Sequence, residues 1–152
     1  MKALIIAVAL LLTGCVTVPA NAPTYSRAAE PPAGQGNVYI YRIGAVPTLR
    51  TPTISIDGSP VFDPPEKAYT VVALPVGPHE VLVNWGWDTG APDLKFPIQV
   101  IGATPLYIKI TGSFETTGMS YRMGSLAQGV PQVIAEREIE ACCRYLEPEQ
   151  RK

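Results

Sequence analysis

The chain has 152 residues, 47% of them apolar and only 16% charged, with sixteen prolines and thirteen glycines. That length supports one hydrophobic core, the apolar content argues against a disordered tail, and the proline and glycine content argues against long helices. The formal charge is −1, and becomes −2 if Lys2 leaves with a signal segment (twelve basic residues less one, against thirteen acidic). No basic surface is implied, which argues against a nucleic-acid partner.

Met1 and Lys2 give a short positive start, followed by an apolar run from Ala3 to Leu12. The run is too short to span a bilayer as a helix, which takes about 20 apolar residues. Leu12-Thr13-Gly14-Cys15 resembles a bacterial lipobox. That resemblance implies cleavage between Gly14 and Cys15, with residues 1–14 as signal peptide. Cys15 would then be the first mature residue, its sulfur carrying diacylglycerol and its amine a third chain such as palmitate. At roughly 0.8 kcal/mol per buried CH₂, such chains make a nearly permanent anchor. Val16 stands where enteric lipoproteins held at the inner membrane carry Asp, which resembles outer-membrane sorting to the periplasmic face. Residues 15–36 are then the lipidated cysteine and a flexible tether rich in Pro and Ala, reaching on the order of 60 Å if fully extended.

Residues 37–147 read as the folded domain and 148–152 as a tail. Val38 and Ile40 alternate with Tyr39 and Tyr41, which predicts a strand with two different faces. Thr53-Ile54-Ser55-Ile56, the tight-turn pair Asp57-Gly58 and Ser59-Pro60-Val61-Phe62 predict a second hairpin whose proline places its last strand at an edge. Tyr69 to Trp85 reads as a β-hairpin closed by Pro75-Val76-Gly77-Pro78, with Tyr69, Val71 and Ala73 on one face of the first arm and Val81, Val83 and Trp85 on one face of the second. Phe96, Ile98 and Val100 predict the next strand, and Leu106, Ile108 and Ile110 the one after it. A Gly-, Ser- and Thr-rich loop, a short strand from Ser120 to Met123 and another from Gln132 to Ile134 follow. Ile139, Cys142, Cys143 and Leu146 fall at i, i+3, i+4 and i+7, the stripe of a short C-terminal helix over residues 135–146. The expected fold is all-β, an antiparallel sandwich of the immunoglobulin or PEGA type with about seven or eight short strands and that one helix.

Val38-Tyr39-Ile40-Tyr41-Arg42, the Ile54-x-Ile56-Asp57-Gly58 turn, Leu74-Pro75-x-Gly77-x-His79 and Leu106-Tyr107-Ile108 together resemble a family of bacterial lipoproteins described as a domain of unknown function, with a small PEGA-like sandwich. The resemblance covers most of residues 37–146. Val76 departs from it, standing between the proline and glycine that the family sets side by side. It implies an envelope-facing sandwich without known catalytic residues.

His79 has two readings, a base or metal ligand, or a ring bonded to turn carbonyls; the lack of an evident partner set favours the second. There is no G-x-S-x-G elbow and no paired H-x-x-H in the sequence, so no catalytic residue, metal ligand or cofactor is expected. Cys142 and Cys143 offer buried free thiols, a disulfide to another molecule or a reactive redox pair, since helical dihedrals do not permit a bond between neighbours; the apolar stripe favours buried thiols. Trp85 reads as core. Trp87, with Asp88 in a polar loop, either folds back over the sandwich or contacts a partner, a protein pocket or a cell-wall sugar. The expected function is that of a membrane-anchored, non-enzymatic binding or scaffolding module of the envelope. The alternatives are a thiol redox or metal-handling protein using Cys142 and Cys143, and a peptidoglycan binder using Trp87.

Overall fold

A computed structural model describes residues 17–44 and 50–148. Gly14 and Cys15, the expected cleavage and lipidation site, lie outside them.

Nine strands, in chain order β1 (Gln35–Arg42), β2 (Thr53–Ile56), β3 (Ser59–Phe62), β4 (Ala68–Pro75), β5 (Gly77–Asn84), β6 (Leu94–Val100), β7 (Leu106–Thr117), β8 (Ser120–Gly129) and β9 (Arg144–Tyr145), form two sheets, with helix α1 (Gln132–Cys142) before the last strand. One sheet has the order β8-β7-β1-β4-β9 and the other β3-β2-β5-β6. The β-sandwich expected from the alternation is the observed fold. It is not purely antiparallel, because β1 runs parallel to β7 and β4 parallel to β9.

Between the sheets Val38, Ile40, Ile54, Ile56, Val81, Val83, Trp85, Ile108 and Ile110 form the main core. Each such aliphatic side chain contributes on the order of 1.5–3 kcal/mol by leaving water. The opposite face of the five-stranded sheet is buried too, since Tyr39, Tyr41, Tyr69 and Tyr107 pack there against Ala135 and Ile139 of α1. Tyr39 and Tyr107, cross-strand neighbours, stack with ring centroids 4.5 Å apart. Their polar ends explain why tyrosine serves here. The Tyr41 hydroxyl donates to Glu138 at 2.5 Å and that of Tyr107 to Glu136 at 2.9 Å, while Lys109 Nζ reaches Glu138 at 2.7 Å. Hydrogen bonds from Lys109 and then Tyr41 hold the Glu138 carboxyl below its usual range. Burial, reinforced by Glu138, pushes the Tyr41 hydroxyl up.

Four expectations about chain path need correction. The stretch from Tyr69 to Trp85 is no hairpin. Its arms carry the expected faces, but β4 pairs with β1 and β5 with β2 and β6, so the turn passes the chain from one sheet to the other. Gly77, at φ +141°, lets the chain leave one layer and enter the next, and the Val76 N–H bonds to the Gly34 carbonyl at 2.9 Å rather than across a hairpin. The Gly- and Ser-rich stretch after Ile110 is strand, held in an unbroken register from Ile108 opposite Gly129 to Thr117 opposite Ser120. Gln132 to Ile134 opens α1 instead of forming a strand, and the helix ends at Cys142. Last, much of the expected tether lies on the domain. Val18 packs against the main core, Tyr25 and Ala28 against the tyrosine layer. The Ala28 N–H donates to the Tyr39 hydroxyl at 2.9 Å, Tyr145 N–H to the Pro23 carbonyl at 2.8 Å, and Arg27 grips Glu136 at 2.9 and 3.0 Å. The prolines suit this strap, because an extended segment that joins no sheet ladder loses no ladder hydrogen bond where an N–H is missing.

Candidate functional site

The end of the sandwich where β1 finishes is organised by Arg42. It shares the inward face of Val38 and Ile40, so the alternation that buries those residues buries a guanidinium as well, fully excluded from solvent. Such burial is tolerated only with partners. Nη1 donates to the carbonyls of Arg50 at 2.7 Å and Pro64 at 3.0 Å, Nε lies 3.6 Å from Glu66, and the group sits 4.9 Å above the Trp85 ring. Burial lowers the Arg42 pKa and the Glu66 carboxylate opposes that shift. The Trp85 indole N–H donates to Ser125 Oγ on β8. One buried cation therefore joins two loops to the tryptophan that closes this end of the core.

Two residues further along, Trp87 is 96% exposed. Of the two readings for this residue, folding back over the sandwich is not the one observed. β5 stops at Asn84, and Trp87-Asp88-Thr89 forms a single 3₁₀ turn that aims the indole outward. That turn is braced on all sides. Thr89 N–H and Oγ1 both donate to the Gly86 carbonyl, at 3.0 and 2.9 Å, and Ala91 N–H donates to Thr89 Oγ1 at 3.2 Å. Gly90 takes φ +66°, which a residue with Cβ adopts at a cost. Asp88 meets Arg50 at 2.6 Å, and Asn84 bonds Asp93 at 2.6 Å. Arg50 is thus held by its carbonyl to Arg42 and by its guanidinium to Asp88. The result is a large apolar side chain presented almost wholly to solvent on an ordered turn. Such a group can enter a partner's pocket or stack on a flat ring.

His79 sits at the opposite end. Nε2 lies 2.8 Å from the Pro75 carbonyl, the turn-carbonyl contact expected for it. Nδ1 lies 2.6 Å from Asp57, a partner not foreseen, which also accepts the Glu80 N–H at 2.9 Å. With both ring nitrogens engaged, the geometry stitches the Asp57-Gly58 turn to β5. The Asp57 hydrogen bond, then the Pro75 carbonyl, raise the His79 pKa above its ordinary 6.5, and the His79 and Glu80 hydrogen bonds lower Asp57 below 3.8. Stability linked to His79 is present below 6.5 and lost as pH rises through its raised value; that linked to Asp57 is present above 3.8 and lost as pH falls through its lowered value. The pair therefore stabilises most between those two ordinary values. The thermal midpoint is expected to fall as pH rises above 6.5 through the raised His79 value, and His79→Gln to flatten that fall; superimposable midpoint profiles for the two proteins would refute the pairing.

Cys142 and Cys143 are joined by a disulfide. The expectation of two free thiols fails because the helix is shorter than its apolar stripe. Cys143 is extended, at φ −117° and ψ 152°, so the helical dihedrals that forbid a bond between neighbours do not apply. Cys143 is buried under the tyrosine layer, and its N–H still bonds to the Ile139 carbonyl at 2.8 Å. Among the described residues no three His, Cys, Asp or Glu side chains converge on a common point. The strap is flanked by two clefts, one of about 370 Å³ beside Arg27, Asn37 and Gln132 and one of about 290 Å³ between Pro23, Tyr69 and Tyr145.

No protein-family model, no curated protein and no solved structure matches this chain.

Proposed function

We propose that this chain is a lipid-anchored, non-enzymatic binding module of the bacterial envelope, on the periplasmic face of the outer membrane, and that it holds a protein partner by inserting Trp87 into a pocket. The anchor reading rests on Leu12-Thr13-Gly14-Cys15 behind a short apolar run. The binding reading is carried by one observation, the nearly complete exposure of Trp87 on a turn braced by the Asp88 and Arg50 ion pair. An exposed aromatic on a rigid turn has the character of a binding hot spot, where truncation costs roughly 2 kcal/mol or more.

Two variants of the full chain test the parts separately. Cys15→Ser should move the protein out of the membrane fraction without altering its fold. Trp87→Ala should leave membrane association and folding intact and abolish recovery of one stoichiometric protein after cross-linking in cells. Co-sedimentation with purified peptidoglycan that depends on Trp87, with no protein recovered, would replace the protein partner by a carbohydrate.

A further inference from the structure

Sheet edges attract strands, and proteins usually blunt them with proline, charge, brevity or a cover. Three of the four edges here are blunted. β3 has four residues and contains Pro60, β6 carries Lys95 and Pro97, and β9 has two residues and is bonded to the strap at Pro23. β8 is different. It is ten residues long, lacks proline and a bulge, and has Arg122 as its single charged position. Among the described residues no strand pairs with its outer side.

The free groups of that edge can be named. Val130 N–H donates to the Tyr107 carbonyl at 3.0 Å, and the register with β7 continues without a shift through the hairpin. Narrow, doubly bonded pairs alternate with wide ones in an antiparallel ladder. Residues 120, 122, 124, 126 and 128 therefore turn their backbone groups to β7. Tyr121, Met123, Ser125, Ala127 and Gly129 turn theirs outward.

We propose that this edge is the dimer interface of the protein, pairing antiparallel with β8 of a second copy to make one continuous ten-stranded sheet. With Ser125 on the two-fold, every outward residue meets an outward residue, Met123 opposite Ala127 and Tyr121 opposite Gly129. Arg122 falls opposite Gln128, so no like charges oppose each other, and Leu126, 56% exposed, falls opposite Gly124. A two-fold between antiparallel strands stands normal to the sheet. Both copies thus keep α1 and the tyrosine layer on the same side of that sheet. The edge pairing does not depend on the proposed anchor at Cys15. Confinement to a membrane also raises the effective concentration, which suits an interface made by one strand.

The test is sedimentation of the full lipidated chain in detergent over a range of concentrations, with cross-linking in cells. Met123→Pro removes an outward N–H in each copy without touching the ladder to β7, and should weaken the dimer by about tenfold or more, roughly the worth of the two hydrogen bonds lost across the two-fold. Met123→Ala should dimerise like the parent. Leu126→Lys, an exposed position away from the core, should weaken it as well and covers the case in which the proline variant does not fold. A chain that stays monomeric at every concentration, or a dimer that persists in both edge variants, overturns the proposal. So does cross-linking of the β8 edge to another protein in place of its own copy. If Cys15→Ser stays in the membrane fraction and still sediments as a dimer once extracted in detergent, the anchor reading fails and the edge pairing stands.

Discussion

Trp85→Ala is expected to destabilise the domain by about 3–5 kcal/mol, as large-to-small changes of buried aromatics do. The residue is 2% exposed within the main core, its indole N–H bonds to Ser125, and the Arg42 guanidinium rests on its face. Truncation leaves a cavity, an unpaired hydroxyl and a buried cation without its ring. Trp87→Ala, two positions away, should change stability by no more than about 0.5 kcal/mol, because nothing of the fold rests on that side chain. Urea unfolding of both variants gives the comparison. Equal destabilisation by the two substitutions would mean that the division between a structural and a presented tryptophan is wrong.

Arg42→Met is expected to cost about 3 kcal/mol, in the range found when one partner of a buried ionic cluster is removed. The methionine fills most of the volume but leaves the Arg50 and Pro64 carbonyls without their donor and removes the cation beside Glu66. The effect should reach beyond stability. Arg50 loses the bond that fixes its backbone, and with it the guanidinium that pins Asp88 beneath Trp87. Binding that depends on Trp87 should weaken in Arg42→Met even under conditions where the domain remains folded. Unchanged amide exchange in residues 86–91 of this variant would contradict the coupling.

Faces were legible in the sequence and partners were not. The alternation of Val38 and Ile40 with Tyr39 and Tyr41 is a local property of one strand, and it separates the two buried layers correctly. The pairing of β4 with β1 rather than β5 is set by residues far away in the chain, from Tyr41 opposite Tyr69 to Gln35 opposite Pro75. Pro75, Val76, Gly77 and Pro78 report only that the chain changes direction there. The signal that could have excluded the hairpin was that β4 is apolar on both faces, Tyr69 and Val71 against Val72 and Leu74, which demands a layer on each side.

Composition misled in two places for the same reason. The stretch containing Gly112, Ser113 and Thr116 has loop-like content, yet ten register pairs with β8 hold it extended. The proline-rich start of the domain looks like a tether, yet Tyr25 sits among Tyr39 and Tyr69 at ring distances of 6.5 and 5.7 Å. An isolated tyrosine within a Pro- and Ala-rich segment was the available sign. At the candidate site, Trp87 and Asp88 could be singled out because a tryptophan beside Trp85 and Gly86 interrupts a strand pattern. Arg50, which braces Asp88, carries no local signal, and neither does Asp57 as the partner of His79.

The most direct measurement is site-specific photo-cross-linking in living cells, with a photoreactive aromatic side chain that keeps a ring at position 87 and a control at Ala141 on the exposed side of α1. A single protein adduct formed from position 87 and absent from position 141 is the predicted result. Adducts from position 87 confined to lipid, or none at all while the protein is folded and membrane-bound, would contradict the claim that Trp87 is the contact by which this module holds a protein partner.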